Sequence, residues 1–171
     1  MRLNGRLYEA LVAWRERRPR FDLYHSALVA SVTAGTFVIE QAWPIPDERG
    51  ADRGAVAEGP VGWRRAAALR FLRYEVRCWR DGVIADLAEA VESPRHLTGD
   101  AARAEQVLRL VREAPTPVWG RDELGTGEMW NSNSLVSWVL VRSGLHGDAV
   151  APPAGGRAPG WRAGIVAAAR S

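Results

Sequence analysis

Apolar and polar positions along the chain change their period several times, and each change marks an element. Leu3, Leu7, Ala10, Leu11 and Trp14 recur at helical spacing, which predicts an amphipathic helix ending before Pro19. Residues 22–32 and 36–42 are rich in Val, Thr, Phe and Ile and read as two strands joined tightly at Gly35. Pro44-Ile45-Pro46-Asp47 ends the second strand. Residues 44–62 hold three Pro and four Gly without a period, so they read as a long surface loop. Alternation resumes over 69–80, with Leu72, Tyr74, Val76 and Cys78 on one side and Arg73, Glu75 and Arg77 on the other. Asp81-Gly82 marks a turn, and 83–93 fits helix or strand equally. Thr98 is placed to cap a helix over 99–113 whose Ala101, Ala104, Leu108 and Val111 share a face. Beyond Pro115-Thr116-Pro117, the loop Gly125-Thr126-Gly127 leads into a nearly unbroken apolar helix over 131–143, which Gly144 closes. An irregular arm over 151–160 precedes a short strand or helix over 161–169.

This order predicts an α+β fold, a small antiparallel sheet packed on helices, in a single domain over 1–171. An apolar content of 47% and a charged content of 25% are those of a soluble globular chain. No apolar run approaches the ~18–20 residues of a membrane span. Met1 to Arg6 lacks the apolar core of a signal peptide, so the expected location is cytoplasmic. All 23 basic residues are Arg, a coding bias of the kind a GC-rich bacterial genome gives. They are scattered among 20 acidic residues and leave a net charge of +3, so no nucleic-acid partner is expected. Cys78 is the sole cysteine, which rules out an internal disulfide and makes it a buried structural thiol rather than a nucleophile. Asp122, Glu123 and Glu128 have no histidine beside them, and no Lys follows the Gly-rich loop. Neither a metal nor a phosphate-bearing cofactor is therefore expected.

Candidate chemistry concentrates at Met129-Trp130-Asn131-Ser132-Asn133-Ser134-Leu135-Val136. The first turn of a helix leaves backbone N–H groups free and carries partial positive charge, which suits an oxyanion. Asn131 is a good N-cap, so Ser132 falls at the first helical position with its hydroxyl free to point outward. A serine hydroxyl reacts only with an adjacent base. His25, in the early strand-like run Leu23-Tyr24-His25-Ser26-Ala27-Leu28-Val29, is the candidate, whereas His96 and His146 sit in polar turns.

Asn131-Ser132-Asn133-Ser134-Leu135-Val136 resembles the nucleophile helix start of the circularly permuted papain-like hydrolases (the NlpC, LRAT and PPPDE groups). Those families read Asn-Cys-Asn-x-Phe or Asp-Cys-Ser-Gly-Leu-Val there, and their histidine comes early in the chain on a strand, as His25 does. Here Ser132 stands where the family has Cys. The resemblance implies attack on an amide or ester carbonyl by Ser132, with His25 as base. It also implies a polar residue on the next strand that orients the imidazole, which Glu40 or Gln41 could supply. The two point to opposite faces, and Glu40 is preferred. Tyr24 and the Ser132 N–H are the candidate oxyanion donors, and Tyr24, Trp130, Asn131 and Asn133 the candidate substrate contacts. The alternative is a non-catalytic member of the same fold, a binding module whose Asn131, Ser132 and Asn133 hydrogen-bond a ligand.

Overall fold

The computed structural model describes residues 20–43, 54–84, 87–91, 94–147 and 150–171, with Trp14 and Arg17. Its centre is a four-stranded antiparallel sheet in the order β2-β3-β5-β4, built from β2 (Leu28–Val32), β3 (Gly35–Ala42), β4 (Ala55–Pro60) and β5 (Arg73–Arg80). A separate parallel pair joins β1 (Asp22–Leu23) to β6 (Gly156–Arg157). Three helices, α1 (Ala101–Leu110), α2 (Ser132–Arg142) and α3 (Trp161–Arg170), complete an α+β architecture among the described residues. None of these helices is long and apolar enough to cross a membrane.

Register decides which side chains meet the helices. Leu28 pairs with Ile39, Ile39 with Cys78, and Gln41 with Val76, so Phe37, Ile39, Gln41, Tyr74, Val76 and Cys78 share one face. That face packs against Val107 and Leu110 of α1, Leu135, Trp138 and Val139 of α2, and Ala163, Ala167 and Ala168 of α3. Burial pushes the Cys78 thiol above its ordinary value, and the charge of Arg112 opposes this only in part. The opposite face carries Val38, Glu40, Glu75 and Arg77. Arg77 lies 2.9 Å from the Glu75 carboxylate and 3.7 Å from that of Glu40, and its guanidinium also stands over the Trp79 ring.

Several expectations are corrected here. The strand expected over 22–32 is two strands, because the chain leaves β6 after Leu23 and joins β3 only at Leu28. The partner that divides it comes from the distant 151–160 arm, so nothing local in the sequence marks the break. The loop expected over 44–62 contains β4, an edge strand with a register shift between Ala55 and Ala57 that blurs its alternation. Residues 44–53 of that loop, and the first helix up to Ala13, lie outside the described residues. Arg70–Leu72 forms a 3-10 turn, so the third strand starts at Arg73. Within 83–93, Leu87–Glu89 makes one 3-10 turn. Asp100, not Thr98, caps α1: its carboxylate accepts the Ala102 N–H, while Thr98 accepts the N–H of Asp100.

α2 is buried from Ser132 to Leu140. It ends in a Schellman turn, with Leu145 N–H on Leu140 C=O and Gly144 N–H on Val141 C=O, and Gly144 in the left-handed region at φ 69°. The final segment resolves as helix and packs closely on α2. A Cβ at Gly164 would lie 2.0 Å from the Ser134 carbonyl oxygen, so only glycine permits this approach.

Arg77 holds two carboxylates in a buried layer, and its loss would leave both without their shared cation. Arg77→Ala is therefore expected to lower unfolding stability by about 3–5 kcal/mol. Urea denaturation measures it, and a loss below about 1 kcal/mol would show that these charges are solvated.

Candidate functional site

The four polar residues that open α2 divide into two tasks. Asn131 is the N-cap: its side-chain oxygen accepts the Asn133 N–H at 2.9 Å, and its amide donates to the Pro159 carbonyl at 2.8 Å. Ser134 closes a capping box, its hydroxyl accepting the Asn131 N–H at 3.1 Å and donating to the Gly160 carbonyl at 2.7 Å. Asn133 donates to the carbonyls of Tyr24 and Pro159 at 3.0 and 2.9 Å. One turn on, Ser137 donates to Trp161 C=O at 2.8 Å. Asn133, Ser134 and Ser137 are buried and Asn131 half-buried, and each satisfies backbone of a remote segment.

Ser132 takes no part in that network. Its hydroxyl lies 3.1 Å from Nδ1 of His25, across 107 residues of chain. Ser132 is 7% exposed, whereas His25 faces solvent. The fold explains the meeting. His25 stands in the segment 24–27 that belongs to neither sheet, with Tyr24 N–H on Arg157 C=O before it and β2 after it. Asn133 grips the Tyr24 carbonyl from the helix side, which brings the following residue to the helix mouth. With its proton on Nε2, the imidazole accepts the Ser132 O–H at Nδ1, the arrangement a general base needs. The Ser132 N–H, at the first helical position, has no intrahelical acceptor.

The remaining sequence candidates separate. Trp130 is 1% exposed and sits in the hydrophobic core, so it is no substrate contact. Asn131 and Asn133 direct their amide N–H groups into protein backbone, while the Asn133 side-chain oxygen is buried without a hydrogen-bond partner among the described residues. The Tyr24 ring packs over Gly156, where an added Cβ would clash with it. Glu40 lies on the sheet face away from α2, beside Arg77, because alternation along β3 assigns it there. Gln41 instead shares the face of Ile39 that meets the helices. It is 3% exposed, and neither side-chain amide atom has a hydrogen-bond partner among the described residues. β2 begins opposite Ile39, so Gln41 lies beyond the last β2–β3 pair.

The acidic residues before α2 turn out to have local structural partners. Asp122 accepts the N–H groups of Thr126 and Gly127, and these bonds, led by the one from Thr126, hold its carboxyl below the usual range. Glu123 accepts Arg64 at 2.7 Å and the Val118 N–H at 3.0 Å. Glu128 accepts the Arg162 N–H at 3.0 Å and so serves the first turn of α3, not of α2. Among the described residues no group of His, Cys, Asp and Glu could hold a metal ion. One pocket is lined by Val32, Phe37 and Leu108 and another by Val141, His146 and Ile165, and neither of these includes Ser132 or His25.

Comparison with protein-family models, with curated proteins and with solved structures finds no match.

Asn133→Ala would take the side-chain donor from the half-buried Tyr24 carbonyl and one of the two donors from the Pro159 carbonyl, which Asn131 would still serve. The expected loss is about 2–3 kcal/mol of unfolding stability by urea denaturation. A neutral result would mean that the helix start does not hold the Tyr24 segment.

Proposed function

We propose that the chain is a serine-variant hydrolase or acyltransferase of permuted papain-like fold, acting on an amide or ester carbonyl. The 3.1 Å contact between Ser132 Oγ and His25 Nδ1 carries this reading, because two residues singled out for their chemistry meet at a helix mouth. Ser132 Oγ attacks the carbonyl carbon while His25 Nδ1 takes the hydroxyl proton. The carbonyl oxygen becomes an oxyanion beside the Ser132 N–H and the positive end of α2. Collapse of this intermediate breaks the bond to the leaving group, which receives the proton from His25 and departs. An acyl-Ser132 ester remains, and water or another acceptor, deprotonated by His25, resolves it.

In this reading Gln41, rather than Glu40, is the β3 residue available to orient His25, the Gln41 and His25 side chains not being hydrogen-bonded to each other in the structure. Glu40 faces Arg77 on the far side of the sheet, whereas Gln41 offers an unsatisfied amide on the helix side. A carboxamide can hold an imidazole tautomer without adding a charge to a buried strand end. The rival reading, a binding module that has lost its thiol, draws on the near-complete burial of Ser132.

Labelling with a fluorophosphonate separates the two. An activated Ser132 reacts in the wild-type protein, does not react after Ser132→Ala, and reacts about 100-fold more slowly or worse after His25→Ala. Absence of labelling in the wild-type protein, or labelling that survives Ser132→Ala, would favour the module.

A further inference from the structure

The segment from Trp63 to Phe71 lies outside the core and outside the Ser132 site, yet it presents three large apolar side chains to solvent. Trp63 is 62% exposed, Leu69 49% and Phe71 65%. They are held on a fixed base rather than on a floppy loop. Successive 3-10 turns place the Ala66 N–H on Trp63 C=O, the Leu69 N–H on Ala66 C=O and the Leu72 N–H on Leu69 C=O. Ala66 is buried beneath them, Val61 N–H reaches Leu72 C=O at 2.8 Å, and Arg73 donates to the Ala67 carbonyl.

Charge is as one-sided as exposure. Residues 59–74 contain Arg64, Arg65, Arg70 and Arg73 and no Asp or Glu. Glu123 takes Arg64, and Glu58 takes Arg73. Arg65 and Arg70 are exposed and have no ion-pair partner among the described residues. Two exposed arginines thus lie in the same stretch as Trp63, Leu69 and Phe71, the composition of a surface that inserts apolar tips among lipid chains while arginines meet anionic headgroups. Nucleic acid fits less well, since Leu69 offers no stacking face and only two cations are free.

We propose that Trp63, Leu69 and Phe71, with Arg65 and Arg70, form a docking surface for an anionic lipid bilayer. The proposal rests on exposure and charge alone, independently of the chemistry of Ser132. Its position gives it consequence for that site. Gly62 N–H donates to Trp119 C=O and Gly120 N–H to Trp130 C=O, so the platform is two backbone rungs, about 10 Å, from the start of α2.

The test is co-sedimentation of the full chain with vesicles of phosphatidylcholine alone or with about a third phosphatidylserine. The wild-type protein is expected to pellet with the anionic vesicles and to stay in solution with the neutral ones. Arg65→Gln with Arg70→Gln should weaken anionic-vesicle partitioning about thirty-fold. Trp63→Ser with Phe71→Ser should weaken it about ten-fold or more. These residues are exposed, so both double variants should keep the wild-type thermal unfolding profile, which separates lost binding from lost folding. A wild-type protein that ignores anionic vesicles, or double variants that bind them as well as it does, would overturn the proposal. So would tight binding of a short single-stranded oligonucleotide, lost in the same variants, by a protein that leaves the vesicles in place.

Discussion

The buried start of α2 is the constraint on which the rest of the structure depends. A helix that begins inside a protein cannot leave its first N–H groups and the carbonyls of its neighbours unpaired, since each orphan would cost about 1–3 kcal/mol. Asn131, Asn133, Ser134 and Ser137 meet this demand by joining the helix to Tyr24 near one end of the chain and to Pro159, Gly160 and Trp161 near the other. Gly160 has to be glycine: its φ is 88°, and a Cβ there would lie within 2.7 Å of the Asn131 and Ser134 side chains. The small residues of α3 can then close on α2 at Gly164.

Satisfying that demand arranges the chemistry. Tyr24 is gripped from the helix side and from β6, so the segment after it cannot continue the sheet. His25 emerges there, next to the one polar residue of the helix start that no backbone carbonyl claims. Ser132 and His25 thus meet because the side chains around them are occupied. The amide of Gln41 is the exception to this order. It is buried on the helix side of β3, and satisfied polar groups are the rule at such depth.

Much of this was legible in the sequence where periodicity is local. The β2–β3 hairpin, β5 from Arg73 onward, and the two helices at 101–110 and 132–142 follow from alternation, capping residues and Gly144. The prominence of Ser132 and His25 also follows, from helix-start chemistry, from the resemblance at Asn131 to Val136 and from the lack of rival histidines. Features that depend on distant partners were not legible. The break after Leu23 needs β6, and β4 hides its alternation behind a bulge and glycines. The choice between Glu40 and Gln41 needs to know which sheet face the helices cover, and Arg77 on the other face settles where Glu40 sits. Trp130, Asn131 and Asn133 look like ligand contacts in one dimension because they flank the candidate nucleophile Ser132. In three dimensions they are a core aromatic and two fasteners.

The central claim is that the structure holds an imidazole against the side chain at position 132. The most direct measurement is the pH dependence of alkylation of the thiol in Ser132→Cys, made with Cys78→Ala so that no other thiol contributes. Paired with His25, that thiol should ionise below about pH 7, well under the ~8.5 of a free cysteine, and His25→Ala should return it toward the free value. A thiol that titrates like free cysteine whether or not His25 is present would contradict the account.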